Sequence, residues 1–255
     1  MIEFITYKLL HIFISNHNEK RIVDFLISNK YFKSSKELII FDVGCYIGDW
    51  TRNLISILNK KINKKYIIHL FDANKKVKRH LKTLIKSKNI YFNNIALDIK
   101  KQNQVFNLNN FFQCSGSSIA NIYMNDKKWV DSRYKFINFF SIQKPQKFTK
   151  VLVKTNTIDN FCKKKKIKNI DLLKIDVEGS EANVIFGAKK NLKKIKIIYT
   201  EIVESKKKYI KKEKNIINYL KKHGFELVKK DNIGNVSLFS NIIAKDNIFI
   251  NKRYF

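Results

Sequence analysis

The stretch Ile39-Ile40-Phe41-Asp42-Val43-Gly44-Cys45-Tyr46-Ile47-Gly48-Asp49-Trp50-Thr51 decides how the rest of this 255-residue chain is read. A short run of β-favouring apolar residues stops at an acid, turns through two glycines, and enters a helix-compatible segment, Thr51 to Leu58. A strand that feeds a helix through a glycine turn is a standard cradle for a nucleotide-like cofactor. Glycine takes up positive φ and lets the backbone approach the ligand closely.

Working outward, strand and helix patterns alternate. Tyr66–Phe71 is a continuous apolar run of strand length, as a parallel strand buried on both faces requires, and it ends at Asp72. A helix is predicted over Lys75–Lys86 with Val77, Leu81 and Leu84 inward, then a strand over Ile90–Leu97. Thr157 or Asp159 can cap a following helix. Ile170–Val177 reads as the fourth main strand, Glu181–Asn191 as its helix, and Ile195–Ile202 as a fifth strand ending near Glu201. Lys206–His223 has a one-sided apolar stripe and stops at Gly224, a good residue to follow a helix. Phe225–Lys230, Val236–Phe239 and Ile242–Ala244 supply closing strands, with an antiparallel one beside a parallel edge. The pattern is that of an open, doubly wound α/β sheet whose ligand sits at the carboxyl ends of the strands. Asp42, Asp72, Asn94, Asp176, Glu178 and Glu201 fall at those ends.

Residues 98–150 interrupt the alternation. Gln104–Leu108 and Phe148–Thr155 are strand-like, Cys114–Ser118 is a small-residue loop, and Lys127–Phe140 is rich in aromatics. We expect an inserted β-ribbon with loops over the ligand-binding edge. Trp129, Tyr134, Phe136, Phe139 and Phe140 would form either a sugar-stacking wall or the insertion's own core. Residues 1–34 read as a helical extension, with residues 35–255 as the main domain. Met1–Ile14 is apolar enough that a membrane-surface helix is the sharper alternative to a cap on the core.

Composition sets outer limits. The net charge of +31 suggests a polyanion partner, yet it is carried by 47 lysines against five arginines, alongside abundant Ile and Asn and a single proline. That is what drift toward AT-rich codons produces, and nucleic-acid readers favour the bidentate fork of arginine. Three scattered cysteines and five unclustered histidines give no disulfide framework and no zinc spacing, so no metal is expected and a reducing cytoplasm fits. No apolar run reaches transmembrane length, and no secretory leader pattern opens the sequence.

Three features narrow the cofactor. The turn is Asp-x-Gly-x-x-x-Gly, without the GxGxxG of dinucleotide sites or the GK[ST] of a P-loop. Asp42 precedes the first glycine, where it would repel a diphosphate and welcome the sulfonium of S-adenosylmethionine. Asp72 ends the next strand, where a carboxylate accepts from ribose hydroxyls. The structural alternative is that Asp42 merely caps the turn and Asp72 the next helix.

Here the chain resembles the FkbM-type S-adenosylmethionine-dependent methyltransferases. Phe41–Thr51 is similar to their first motif, and Phe71-Asp72-Ala73-Asn74-Lys75 to their Phe-Glu-Pro-Asn-Pro. Asn94-Ile95-Ala96-Leu97 is similar to Asn-x-Ala-Leu. Thr157–Phe161 with Asp171–Glu181 resembles the family most closely, above all in Lys-Ile-Asp-Val-Glu-Gly-x-Glu. The resemblance spans about residues 38–244. Asp72 replaces the usual Glu and so reaches one methylene less far, and Ala73 and Lys75 replace prolines.

The resemblance implies a Rossmann-like class I methyltransferase fold. Its sheet would be mostly parallel and seven-stranded with an antiparallel last strand. Asp42, Gly44, Tyr46, Gly48, Thr51, Asp72, Asn74, Asn94, Ala96 and Asp176 are the expected cofactor-binding set. Methyl transfer to a hydroxyl needs alignment and a base. Asp176 is expected beside the methyl donor and Glu178 in substrate or base work. Alternatively, Glu178 and Glu181 serve backbone amides at the next helix start. Ser115, Ser117 and Ser118 match a serine-rich family stretch, and a plain loop is the blander reading.

The expected activity is O-methylation of a hydroxyl on a sugar, glycan, glycolipid precursor or secondary metabolite, as in polysaccharide biosynthesis. The alternatives are a nucleic-acid methyltransferase, motivated by charge, and a non-catalytic module that keeps the fold. Against the former, Asp176-Val177-Glu178-Gly179 stands where base methylases carry Asn/Asp-Pro-Pro-aromatic. Expected partners are a small-molecule or glycan hydroxyl, with peripheral contact to an anionic membrane as an option.

Overall fold

The computed structural model describes residues 22–33, 35–110, 117–131, 148–231 and 240–255. Residues 22–28 form α1. There follow β1 (Glu37–Val43), α2 (Asp49–Lys61), β2 (Lys65–Phe71), β3 (Ile90–Asn93), β4 (Ala96–Leu97), β5 (Asn103–Asn109) and α3 (Ile122–Asn125). After α4, residues 127–131, come β6 (Phe148–Asn156), α5 (Ile158–Lys165), β7 (Ile170–Ile175), α6 (Glu181–Phe186), β8 (Ile195–Ser205), α7 (Lys206–Lys222), β9 (Phe225–Asp231) and β10 (Ile242–Asn251).

Seven strands make one sheet in the order β3-β2-β1-β7-β8-β10-β9. β10 runs antiparallel to both neighbours, and the pairings among β3, β2, β1, β7 and β8 are parallel. Alternate side chains of each strand enter opposite cores, as the period of two demands. Phe41, Val43, Leu173 and Ile175 pack with α5, α6 and α7 on one face. Leu38, Ile40, Leu172 and Ile197 pack with α1 and α2 on the other. All six residues of β7 are buried, which makes it the central spine. Each large aliphatic side chain so placed contributes roughly 1.5–3 kcal/mol.

The insertion is a second, three-stranded sheet in the order β4-β6-β5, with β5 and β6 antiparallel. Phe106, Leu108 and Val153 form its core against Ala73 and Ala96. Trp129 is buried with Tyr123, Val203 and Ile242, so this aromatic belongs to packing and not to a sugar wall. Tyr134, Phe136, Phe139 and Phe140 lie outside the described residues, as do Ser115, Val236–Phe239 and the proposed membrane-surface helix at Met1–Ile14.

Several expected elements change shape. The helix over Lys75–Lys86 is a 3-10 turn at Lys75–Arg79 followed by further turns. The carbonyl of His80, which a continuing α-helix would offer to Leu84, accepts from Arg52 Nη2 at 2.7 Å. The strand over Ile90–Leu97 breaks after Asn93; its first part stays in the main sheet and Ala96–Leu97 crosses to β6. α6 ends at Phe186 and not at Asn191, where Gly187 passes so close to Asp98 that a Cβ would lie 2.3 Å from its carbonyl oxygen. β8 runs on to Ser205, which leaves Glu201 inside the strand and not at its end. Thr157 does cap α5, its Oγ1 accepting from Asn160 N at 3.0 Å.

Candidate functional site

The site forms where β1 lies between β2 and β7, the point at which crossovers leave the sheet in opposite directions. After Val43 the chain makes a tight turn with φ of 79° at Gly44, 46° at Tyr46 and 86° at Gly48. The N–H groups of Gly44 and Cys45 both donate to the Phe71 carbonyl, at 2.9 and 3.1 Å, which pins the turn to the end of β2. A Cβ at Gly44 would sit 1.7 Å from the Asp176 carbonyl oxygen. Only glycine lets the ends of β1 and β7 meet this closely.

Asp72 links turn and neighbouring strand. Its carboxylate accepts from Tyr46 N at 3.0 Å and from Asn74 N at 2.8 Å. Burial pushes its pKa up to about 6, against the pull of those two amide bonds. Asn74 caps the next turn, accepting from Lys76 N at 3.0 Å. Asn94 donates to the carbonyls of Asp72 and Ala73 at 2.9 and 3.0 Å and so braces the loop from outside. Ala96 sits in β4, packed against the insertion core.

Beneath the turn lies an ion network. Lys174 Nζ is 3.1 Å from Asp42 Oδ1 and 3.2 Å from Asp176 Oδ2, and it donates to the Gly44 carbonyl at 3.1 Å. Thr51 Oγ1 donates to Asp42 Oδ2 at 2.6 Å. Asp42 and Thr51 have no exposed surface. The structure thus places both below the floor of the crevice, where they hold Lys174 and α2, and does not put the Asp42 carboxylate in line with a bound cation. Asp176, with 34% of its side chain exposed, is the acid of this network that reaches the crevice.

Beyond it, Asp176, Glu178 and Glu201 each offer an oxygen within 4.8 Å of the others, a set that could also hold a cation. Asp176 and Glu201 share a hydrogen bond, and Tyr123 bonds Glu178. Burial first, and the Asp176 charge second, push Glu178 up to about 8. The same causes raise Glu201 well above the usual carboxylate range. No hydrogen bond among the described residues reaches Glu178 Oε2, although that atom is buried. Glu181, by contrast, does what a helix-start acid can do: its Oε1 accepts from Gly179 N at 2.5 Å.

Sequence reasoning passed over Lys174 and Tyr123, and it set Glu201 among the crevice acids without giving it a role. Lys174 had a signal: a lysine between Leu173 and Ile175, in a strand buried on both faces, must have an anionic partner. Tyr123 had none, because nothing local shows which aromatic of the insertion turns inward. Ser117 and Ser118 serve the loop itself; Ser117 Oγ accepts from Asn109 N at 2.8 Å.

The strand order, the single antiparallel strand and the glycine turn at the switch point define a Rossmann-like class I methyltransferase. The chain belongs to the FkbM family: the model of the methyltransferase FkbM domain matches residues 42–227. S-adenosylmethionine is the donor that goes with this membership, and a crevice edged by acids and backbone suits its sulfonium and ribose. The 2-O-methyltransferase NoeI of Sinorhizobium fredii is 41% identical over 51 residues, a match covering 20% of this chain and only 21% of that protein. Human methyltransferase 10 domain containing protein aligns over 94% of this chain and 82% of its own, at 8% identity and a TM-score of 0.44. TYW2 of M. jannaschii, solved with AdoMet, aligns over 92% and 76%, at 13% identity and a TM-score of 0.39. Both scores lie below 0.5, and the fold rests on this chain's own strand order.

Proposed function

We propose that this chain methylates a hydroxyl of a sugar, glycan, glycolipid precursor or secondary metabolite, with Glu178 as the base. The observation that carries this reading is Glu178 itself: a carboxyl held above the usual range beside the donor crevice, with one oxygen still able to accept. The 51-residue likeness to a 2-O-methyltransferase supports the choice of oxygen as acceptor.

When bound, S-adenosylmethionine supplies a methyl whose C–S bond breaks as the acceptor's O–C bond forms, leaving S-adenosylhomocysteine and putting the acceptor proton on Glu178. Gly44 and Tyr46 shape the backbone wall of the crevice, and Asp72 accepts from the ribose diol with lone pairs its two amide donors leave open. Asp176 faces the cationic centre while Lys174 fixes its position from below. Tyr123 orients Glu178 by its hydroxyl and leaves Oε2 for the incoming hydroxyl. Asn94 and Asn74 keep the Asp72 loop in register. Thr51 and Asp42 act through Lys174, and Ala96 holds β4 against the insertion core beside the Asp72 loop.

The test is transfer of labelled methyl to methyl glycosides, with a structured RNA as control acceptor and calorimetry for the donor. Sugar methylation lost in Glu178→Gln, with donor binding retained, supports the reading. Transfer to RNA at a comparable rate, or donor binding without transfer to any hydroxyl, would overturn it.

A further inference from the structure

The Glu178 turn is held by a buried ion pair outside the crevice. Glu178 and Gly179 both have positive φ, 55° and 113°. For Glu178 this left-handed backbone costs roughly 1–2 kcal/mol, so something must impose it. Glu181, with no exposed surface, accepts the Gly179 N–H on Oε1. Its Oε2 lies 2.7 Å from Lys212 Nζ. Lys212 Nζ in turn donates to the Gly179 carbonyl at 2.7 Å and to the Val203 carbonyl at 2.6 Å. Both polar groups of one glycine are therefore gripped by the two halves of one ion pair. The grip is anchored to β8, two residues beyond Glu201, and to α7. On the opposite side Ala120 and Ile122 close over Gly179, where a Cβ would meet Ile122 Cδ1 at 2.2 Å. The next residue, Tyr123, is the one that bonds Glu178.

We infer that Glu181 and Lys212 are positioning residues: their ion pair clamps Gly179 and thereby presents the Glu178 carboxylate to the acceptor hydroxyl. The inference rests on the reading of Glu178 as base. A buried ion pair is a weak source of stability, because desolvation offsets much of the attraction. Gripping the amide and carbonyl that follow Glu178 is a geometric task, and a displacement of about 1 Å at a reacting group costs on the order of 100-fold in rate.

The experiment compares Lys212→Met, Lys212→Arg, Glu178→Gln and the Lys212→Met/Glu178→Gln double variant of the full chain. Methyl α-glucoside, α-fucoside and α-rhamnoside serve as acceptor probes. Side-chain-13C-glutamate labelling reads the Glu178 titration directly, assigned by its loss in Glu178→Gln. Lys212→Met is expected to lower kcat by roughly 10- to 100-fold, with donor Kd changed by less than about threefold. It should also move the Glu178 midpoint down from about 8 by a unit or more as water enters the turn. Lys212→Arg should restore most of the rate. The double variant should be no slower than Glu178→Gln, because the clamp acts through that residue.

An unchanged kcat and midpoint in Lys212→Met, or a double variant slowed by the same factor as the single, would overturn the inference. Should Lys212→Met not fold, Glu181→Gln carries the same comparison, and a wild-type rate and midpoint in it would overturn the inference. A Glu178→Gln variant with wild-type turnover removes the base and not the clamp, which the carboxyl titration still tests on its own.

Discussion

Replacing Glu178 by Gln keeps the shape of the side chain and its place against Tyr123 while removing the ability to take a proton. A general base contributes roughly 10²–10⁴-fold, and kcat should fall within that range while donor Kd stays within about threefold. In the wild type only the ionised fraction of Glu178 is competent. Donor kcat/KM should therefore rise about tenfold per pH unit until it levels near the Glu178 pKa of about 8. Once the sulfonium is in place its positive charge favours the carboxylate, so the corresponding limb in kcat should lie lower. Stability carries the same signature with a definite sign. The folded pKa is raised above the ordinary 4.5, so this group's contribution is intact below about 4.5 and is lost as pH rises through about 8. One proton sets the slope at no more than about 1.4 kcal/mol per pH unit, shared with Asp176 and Glu201 because the cluster titrates together. Urea unfolding at about pH 5, 6.5 and 8 should show wild type losing stability relative to Glu178→Gln. Wild-type turnover in the variant, or a flat rate profile from about pH 6 to 8 with a pH-independent stability difference, would refute the reasoning.

Gly44→Ala should cost more than about 2 kcal/mol in urea unfolding, from the left-handed backbone and the displaced end of β7, and abolish donor binding in calorimetry. Lys174→Met leaves Asp42 buried without its cation, a loss of roughly 3–5 kcal/mol. Urea unfolding of the variant beside the wild type checks the loss. Asp72→Ala removes the acceptor for Tyr46 N, Asn74 N and the proposed ribose diol. Donor Kd should weaken by roughly 10- to 100-fold, at about 1.5–3 kcal/mol per bond to a charged group, and Asp72→Glu should recover part of it.

Much of this arrangement could be read from the chain because parallel strands buried on both faces write themselves as apolar runs. The residue that ends each run is then the residue at the ligand edge. Asp42, Asp72 and Asp176 were legible for that reason. Glu201 was misplaced because β8 is lengthened by a partner remote in sequence. Ile242 pairs with Ser205 and Ile250 with Ile197, and the Lys245-Asp246-Asn247 interruption hid that partner's length. Asp246 is buried there and accepts from Tyr199 Oη at 2.9 Å. That bond spans 47 positions and leaves no local trace. The shortening of α6 has the same origin, since the residue that crowds Gly187 is Asp98. Nothing local in the sequence sets Lys212 apart from the other lysines of α7, and only the fold shows that it reaches the Glu178 turn.

That last point bears on the charge of the whole chain. A surplus of +31 reads as a surface made for polyanions. Yet five of the 21 acidic residues gather here: Asp42, Asp72 and Asp176 at the carboxyl ends of β1, β2 and β7, with Glu178 and Glu201 beside Asp176. One buried lysine, Lys174, stands among them, and it is 3.1 Å from Asp42 and 3.2 Å from Asp176. Burial raises Glu178 to about 8 and Glu201 well above the usual carboxylate range, and Lys174 offsets Asp42, so the crevice carries fewer negative charges than its five carboxyls. Lysines farther off than a Debye length, about 8 Å at physiological salt, are largely screened from it. Under the proposed function, Asp72 and Asp176 are the acids that would face the ribose and the sulfonium of the donor.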